Sequence, residues 1–289
     1  MFRGTSTAII TPFTKDNKVD EEGLRRLVEF QEANGIRTIV PCGSTGESAM
    51  LSHEEHIRVV EVVVDHVKKA KVLAGAGSNS TSEAVMLSKR SEDLGVDGLL
   101  SISPYYVKPT QEGIYQHFKA IAESVNIPTI VYNIPGRTAS NITSETMLRM
   151  AEIDGIGGVK EASGDIEQIK RIINGRPKGF EVLSGDDPMT PALIRAGGDG
   201  VISVTANCLP GKFKAMVDAL LEKNEPAAEK LIAELTPVFE ALFVETNPIP
   251  IKYVMSKLGY GSGSPRLPLT RITEKNRVFI DEKIKNIGL

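Results

Sequence analysis

The sequence has few of the features that mark secreted, membrane-bound or nucleic-acid-binding proteins. It has no tryptophan and only two cysteines, Cys42 and Cys208, which lie far apart in the chain. Such a pair does not make a disulfide framework and favours a reducing, cytoplasmic location. The net charge of −3 and the scattered basic residues argue against nucleic acid as a partner. No apolar run reaches the roughly 18–20 residues of a membrane span, and Met1–Phe13 lacks a signal-peptide pattern.

Short apolar runs alternate with segments of helical period along most of the 289 residues. Eight runs are rich in Val, Ile and Leu, and several are apolar at consecutive positions, as expected for parallel strands buried on both faces. This α/β pattern predicts a closed (β/α)8 TIM barrel over residues 1–223, with a doubly wound sheet as the alternative. The predicted strands are Thr5–Pro12, Arg37–Gly43, Lys71–Gly77, Gly98–Pro104, Pro128–Asn133, Ile156–Ser163, Phe180–Asp186 and Gly200–Val204.

The strand pattern ceases after about Thr205, and the remaining chain is typical of helices. We expect a C-terminal helical domain over residues 224–289 that packs on the barrel, with a loop at Gly261–Arg266. Earlier in the chain, Ser52 and Glu55 have the spacing of a capping box, which predicts a helix start. The predicted helices near the C-terminus are Lys214–Lys223, Pro226–Val244, Ile249–Gly259 and Thr273–Ile287.

A lysine stands in the sixth predicted strand, Ile156–Ser163, where lysine is rarely found unpaired. Active residues of (β/α)8 barrels project from the carboxyl-terminal ends of the strands. Desolvation there would lower the pKa of Lys160 from its usual value of about 10.4 and free the amine to attack a carbonyl carbon. The alternative is that the strand ends at Val159 and that Lys160 is a solvated loop residue.

Other strand ends carry groups that bind anions or move protons. The turn Gly43–Ser48 offers the hydroxyls of Ser44 and Thr45 and free backbone N–H groups to a small anion, although such turns also serve simply to cap a helix. Tyr132 can relay a proton, and Arg137 can clamp a carboxylate. Taken singly, such residues are more often a structural tyrosine and a surface arginine. On one barrel face, they would form a site together with Lys160.

The order and length of these motifs resemble the dihydrodipicolinate synthase family, within the pyruvate-dependent N-acetylneuraminate lyase superfamily. This resemblance covers essentially the whole chain and implies a lyase of the diaminopimelate route to lysine, built as a homotetramer of two tight dimers, with no cofactor and no metal. The motifs that carry it are Ala8–Phe13, Gly43–Ser48, Tyr105-Tyr106, Tyr132–Thr138, Gly158–Glu161, Leu183–Asp186, Val201–Asn207 and Glu245–Pro250.

The resemblance also implies catalytic roles. Lys160 corresponds to the lysine that forms a Schiff base with pyruvate. Tyr132 corresponds to the tyrosine that shuttles protons, and Thr45 to the hydroxyl that links this tyrosine into a relay. Tyr106 is expected to complete the relay from the neighbouring subunit of a dimer.

The implied substrates are pyruvate and L-aspartate 4-semialdehyde. Ser44 and Thr45 correspond to the hydroxyls that bind the pyruvate carboxylate; the first is commonly Thr in the family, and the hydroxyl is kept here. Arg137 corresponds to the arginine that receives the carboxylate of the semialdehyde. Gly185 and Ile202 are expected to line the pyruvate pocket.

A further set of residues resembles the family's feedback site for L-lysine at the dimer interface. Without the resemblance, His53 and His56 would be read as a solvated helix face. A zinc helix is disfavoured because their spacing is three residues and no third ligand is evident. The six residues of the implied lysine site are Ala49, His53, His56, Asn79, Glu83 and Tyr105.

Three other functions are weighed against the synthase. A sugar-acid aldolase of the same superfamily would share the lysine and the Gly-Ser/Thr-Thr-Gly-Glu turn but does not normally carry Gly136-Arg137-Thr138 after the tyrosine. A ligand-binding barrel without activity would not need Lys160, Tyr132 and Thr45 together. A metal-dependent aldolase would lose activity to chelators, which we do not expect.

Overall fold

The computed structural model describes residues 1–285, which form a closed barrel of eight parallel strands in sequential order, with β8 paired to β1. The predicted TIM barrel is therefore confirmed over the doubly wound alternative, whose sheet would have two open edges. The strands are shorter than the predicted apolar runs, because residues at the ends of several runs do not pair with a neighbouring strand. They are β1 Gly4–Ala8, β2 Thr38–Val40, β3 Lys71–Gly75, β4 Gly98–Ile102, β5 Thr129–Asn133, β6 Ile156–Glu161, β7 Glu181–Ser184 and β8 Gly200–Ser203.

Helices connect the strands and continue after β8. The capping box of Ser52 and Glu55 is present at the start of α2. None of the helices within residues 1–285 is long and apolar enough to cross a membrane. The helices are α1 Glu21–Ala33, α2 His53–His66, α3 Thr81–Asp93, α4 Gln111–Ala122, α5 Pro135–Thr138, α6 Ser144–Met150, α7 Ile166–Gly175, α8 Thr190–Arg195, α9 Pro210–Leu221, α10 Glu225–Leu242, α11 Ile249–Lys257 and α12 Glu274–Ile284.

The C-terminal helices follow the sequence-based prediction with shifted ends. Helix α9 begins at Pro210, four residues before the predicted start, because proline at the first helical position needs no hydrogen bond to its nitrogen. The last predicted helix runs to Ile287, but Asn286 and Ile287 lie outside the described residues. Helix α10 packs along α9 and α12, so the proposed division after residue 223 falls between helices in contact. That division stays a prediction.

Two apolar cores hold the barrel. The larger core lies between the strands and the surrounding helices. The smaller lies inside the barrel, because successive side chains of a strand alternate between its two faces. The inner core consists of Phe2, Ala8, Val40, Leu73, Leu100, Ile130, Tyr132, Leu183 and Ile202.

A buried ion pair joins α11 to the turn after β2. Lys252 Nζ pairs with the carboxylate of Glu47, and both side chains are almost fully buried. The same ammonium donates to the backbone oxygen of Thr11 at 3.0 Å and lies 3.8 Å from the ring centroid of Phe13. The other oxygen of Glu47 accepts from the backbone nitrogen of Arg266 at 2.8 Å. Removing one partner of such a pair typically destabilises a protein by about 3–5 kcal/mol, so the C-terminal segment and this turn are strongly linked.

Candidate active site

Lys160 lies inside the barrel. Its Cα is in register with Tyr132 on β5 and with Leu183 on β7. In-register residues of neighbouring strands point to the same face, and these two neighbours belong to the inner core. The side chain is only 6% exposed, so the alternative in which Lys160 is a solvated loop residue is wrong.

The surroundings of Lys160 disfavour its charged form. Burial lowers the pKa of this amine to about 7, the nearby carboxylate of Asp187 opposes this change, and the Arg137 guanidinium adds to it. The Nζ atom lies 4.2 Å from the ring centroid of Tyr132, whose own pKa is raised by burial. A large share of the Lys160 amine is therefore uncharged at neutral pH and able to act as a nucleophile.

Asp187 was not assigned a role from sequence. It follows β7 and is buried, and burial raises the pKa of its carboxyl group. Its Oδ2 accepts hydrogen bonds from the backbone nitrogens of Val204 at 3.2 Å and Thr205 at 2.7 Å. The carboxylate thus holds the segment after β8 while opposing the fall in the Lys160 pKa. The sequence signal that could have singled it out is its position as the second of two adjacent acids, one glycine after the end of a buried strand.

The predicted pocket residues Gly185 and Ile202 lie close to the lysine. A Cβ at Gly185 would lie 2.9 Å from the Cε of Lys160, closer than side chains pack, so only glycine leaves the lysine its present path. Ile202 belongs to the inner core and is 1% exposed. The structure therefore places both residues at the barrel interior.

The turn after β2 is bonded to a residue that sequence reasoning quoted but did not assign. Thr45 is buried, and its Oγ1 accepts a hydrogen bond from Asn247 Nδ2 at 2.9 Å. The backbone oxygen of Asn247 accepts from Arg137 Nη2 at 2.8 Å. Within residues 1–285 no hydrogen bond joins Thr45 directly to Tyr132, so the predicted relay between them is not closed in this state of the chain.

One cavity of about 410 Å³ opens beside these groups. Its wall includes three of the predicted substrate-site residues and five of the six residues of the implied lysine site. The predicted site residues that do not line it are Thr45, Asn79, Tyr106, Lys160, Gly185 and Ile202. The residues shared with the two predicted sites are Ser44, Tyr132 and Arg137 from the first and Ala49, His53, His56, Glu83 and Tyr105 from the second.

The two histidines of α2 have different environments. The Nε2–H of His53 donates to Glu83 Oε1 at 2.6 Å near the surface. His56 is 4% exposed, and its Nε2–H donates to the Gly75 carbonyl at 2.7 Å. The interpretation of both as a solvated helix face is therefore wrong for His56, which points toward β3. Burial lowers its pKa.

Tyr106 stands apart from the other predicted residues. It is 85% exposed, and its φ of 72° lies in the left-handed region that tyrosine rarely adopts. Its backbone nitrogen donates to the oxygen of Thr138 at 3.3 Å. The ring therefore does not reach the site of its own chain.

Both cysteines are buried and free. Burial raises the pKa of the Cys42 thiol, which makes it a poor nucleophile.

Together, the fold and a buried amine beside a tyrosine define a (β/α)8-barrel enzyme with a lysine-centred site. The family model described as "Dihydrodipicolinate synthetase family" matches residues 1–287, and the chain belongs to this family. It is accordingly a lyase.

Three relatives show how close the likeness is. The chain is 50% identical over 290 residues to the 4-hydroxy-tetrahydrodipicolinate synthase of Syntrophus aciditrophicus, covering 100% of this chain and 99% of the relative. It is 41% identical, with a TM-score of 0.97, to the chloride-inhibited dihydrodipicolinate synthase of Acinetobacter baumannii complexed with pyruvate, covering 100% and 99% of the two chains. It is 40% identical, with a TM-score of 0.97 and the same coverage, to the enzyme of Cyanidioschyzon merolae with lysine bound.

The lowered pKa of Lys160 predicts the pH at which its amine becomes reactive. Because only the neutral amine attacks formaldehyde, reductive methylation of the peptide that contains Lys160 should rise with a midpoint near pH 7. Mass spectrometry across a pH series measures the midpoint, with a lysine model peptide as reference. In Asp187→Asn the midpoint should move lower, because the carboxylate that favours the ammonium is gone. A midpoint near that of the model peptide, about 10.4, contradicts the predicted shift.

Proposed function

We propose that this enzyme catalyses the 4-hydroxy-tetrahydrodipicolinate synthase reaction, which condenses pyruvate with L-aspartate 4-semialdehyde in the diaminopimelate route to lysine. The observation that carries the proposal is the Lys160 amine, buried in the barrel with a pKa lowered to about 7. The names of the relatives at 45–50% identity point to the same reaction.

The first step is attack of the neutral Lys160 amine on the keto carbon of pyruvate. Loss of water then gives an imine, and this step needs a proton donor for the leaving hydroxyl. Tyr132, whose ring faces the amine at 4.2 Å, is the donor that the proposal assigns. The raised pKa of this phenol keeps its proton in place until it is needed.

The turn after β2 orients the bound pyruvate. In the proposal, Ser44, Thr45 and the backbone N–H groups of the turn hold its carboxylate, which fixes the methyl group relative to the lysine. Loss of a methyl proton from the imine gives an enamine with a nucleophilic carbon. No external cofactor is needed, since the imine nitrogen accepts the electron pair that this loss leaves behind.

The second substrate adds to that carbon. The enamine attacks the aldehyde of aspartate semialdehyde and forms the new carbon–carbon bond. Arg137 holds the semialdehyde carboxylate; its Nη2 donates to the Asn247 oxygen, and the residue lines the cavity. The substrate amine then displaces Lys160 from the imine carbon, which closes the ring and returns the free lysine.

Trapping with borohydride tests the imine. Borohydride added with pyruvate should reduce the imine and leave a pyruvate-derived mass on the Lys160 peptide, because the buried neutral amine is the proposed nucleophile. Lys160→Met should abolish the label, whereas Lys178→Met, an exposed lysine at the opposite barrel end, should keep it. An unlabelled native protein would remove every Schiff-base mechanism. Faster turnover of pyruvate with N-acetylmannosamine than with aspartate semialdehyde would favour the sugar-acid aldolase instead.

We further propose that Tyr106 serves the site of a neighbouring subunit in a homotetramer of two tight dimers. A positive φ costs a tyrosine conformational free energy, and this one is almost fully exposed, so contacts within its own chain do not offset that cost. Contacts with a partner subunit would offset it. With its ring outside its own site, it is placed to act on a second copy of the chain.

Complementation between two inactive variants tests this arrangement. Tyr106→Phe and Lys160→Met should each lose most activity when pure. When the two variants are mixed and reassembled, about half of the dimers contain one subunit of each kind. One of the two sites in such a dimer has both native residues, so activity should recover to about a quarter of the native value. Activity that does not rise above the sum of the separate variants, in dimers shown to have exchanged subunits, would contradict a shared relay.

We also propose that L-lysine binds in this cavity as a feedback inhibitor. Hydrogen bonds from Ser78 and then His53 lower the pKa of Glu83, so its carboxylate stays charged and can attract an ammonium group. Glu83, His53 and His56 line the same cavity as Tyr132 and Arg137, so a ligand bound there lies next to the proposed substrate site.

A titration of initial rates with L-lysine checks this proposal. Rates should fall as L-lysine rises, and Glu83→Gln should need about tenfold more L-lysine for the same fractional inhibition, because a charged partner of the ammonium is lost. Each variant is normalised to its own lysine-free rate, and D-lysine serves as the ligand control. Rates that stay flat to high concentration would rule out the feedback site.

A further inference from the structure

The turn after β2 has a row of unused backbone donors. Within residues 1–285, the backbone nitrogens of Ser44, Thr45 and Gly46 donate no hydrogen bond, whereas the next nitrogen, that of Glu47, donates to the oxygen of Ser44 at 3.2 Å. Consecutive free N–H groups in a turn form a concave site for a small anion, and Ser44 lines the cavity. The position of the turn therefore decides how well these donors meet a bound carboxylate.

Glu47 ties this turn to the C-terminal segment. Its φ of 58° lies in the left-handed region, which a glutamate rarely adopts, so the surrounding structure must hold its backbone there. The two oxygens of its carboxylate have different partners. One pairs with Lys252 Nζ, and the other accepts from the backbone nitrogen of Arg266 at 2.8 Å. The turn is thus held at its left-handed residue by two groups that are more than 200 residues away in the chain.

Lys252 also reaches the turn by a second route. Its Nζ donates to the backbone oxygen of Thr11, which follows β1, at 3.0 Å. The hydroxyl of Thr11 donates to the backbone oxygen of Gly46 at 2.6 Å. A Cβ at Gly46 would lie 3.0 Å from the backbone nitrogen of Cys42, so the turn already packs closely against the chain that enters it. One ammonium group therefore supports Glu47 directly and Gly46 through Thr11.

Stability alone is a weak reason for an ion pair at this place. The side chains of Lys252 and Glu47 are 1% and 0% exposed, so both charges lose their solvation, and this loss offsets much of their attraction. Apolar residues of similar volume often stabilise a protein as well as a buried ion pair does. Apolar residues would not fix the direction of the Glu47 carboxylate, which has one partner on each oxygen. The pair is therefore better explained by what it positions.

We propose that Glu47 and Lys252 are positioning residues, which set the affinity for pyruvate by holding the Ser44 hydroxyl and the free N–H groups of the turn where the pyruvate carboxylate binds. This inference rests on the proposed function, from which it takes that carboxylate as the ligand of the turn. In the described part of the chain, neither side chain is hydrogen-bonded to Lys160 or Tyr132. Loss of the pair therefore weakens pyruvate binding and spares the steps at the imine.

The neutral double variant, Glu47→Gln with Lys252→Met, separates positioning from stability. Each single substitution should lower the melting temperature, and the double variant should regain much of it, because no buried charge is left unpaired. The pyruvate concentration for half-maximal labelling of Lys160 in a brief borohydride pulse should still be at least about fivefold above native, because the turn is no longer held. At saturating pyruvate, kcat and the KM for aspartate semialdehyde should stay within about threefold of native.

Tyr253→Phe is the matched control. It removes a hydrogen bond that joins the same helix, α11, to Asp281 and does not involve the turn, so the pyruvate concentration for half-maximal labelling should remain within about twofold of native. If the double variant does not fold, Glu47→Asp takes its place. This variant keeps the charge but is one methylene shorter, so it cannot reach both partners from the present turn, and it should show the same increase of at least about fivefold.

Two results would overturn the inference. One is a smaller increase in the variant that is measured, and the other is an equal increase in Tyr253→Phe. Both leave the proposed function standing, because the native protein is still labelled. A native protein that takes up no label overturns the proposed function and the inference together.

Discussion

Because β8 pairs with β1, the eight strands enclose an interior filled by apolar side chains, and alternate residues of each strand must face it. On β6 one of these residues is Lys160. The interior cannot solvate an ammonium group, and the carboxylate of Asp187 offsets only part of that loss. Barrel closure thus makes an ordinary lysine reactive, and the same register sets Tyr132 beside it. The neighbouring Gly185 and the turn after β2 matter because they adjoin this one amine.

The sequence best predicted those features that depend on residues close together in the chain. Runs of Val, Ile and Leu located all eight strands, and the capping box located the start of α2, since both depend on neighbours within a few residues. Lys160 could be singled out because an isolated charge in such a run is itself unusual. Strand ends were less well predicted, because the ladder stops where the neighbouring strand stops. His56 was misjudged because helical spacing alone does not say which side of α2 faces β3.

The contacts between residues far apart in the sequence that complete the site could not be predicted from the periodicity of short segments. Asn247 and Thr45 are 202 residues apart, and Glu47 and Lys252 are 205 apart. Neither pairing follows from periodicity, and a lysine in the amphipathic sequence of α11 gives no sign of being fully buried. The left-handed backbone of Tyr106 is equally invisible in sequence, because tyrosine has no preference for that region. Family resemblance supplied roles for several residues but left Asn247 without one.

The link between the turn after β2 and the C-terminal segment also orders events during translation. The nucleophile and its tyrosine are synthesised 87 to 120 residues before Asn247 and Lys252. A nascent chain can therefore contain all eight strands while its turn still lacks the ion pair and the amide that hold it. The segment that brings the turn into its final position therefore leaves the ribosome after the eight strands. A barrel released before that point would have the reactive amine without its ordered surroundings.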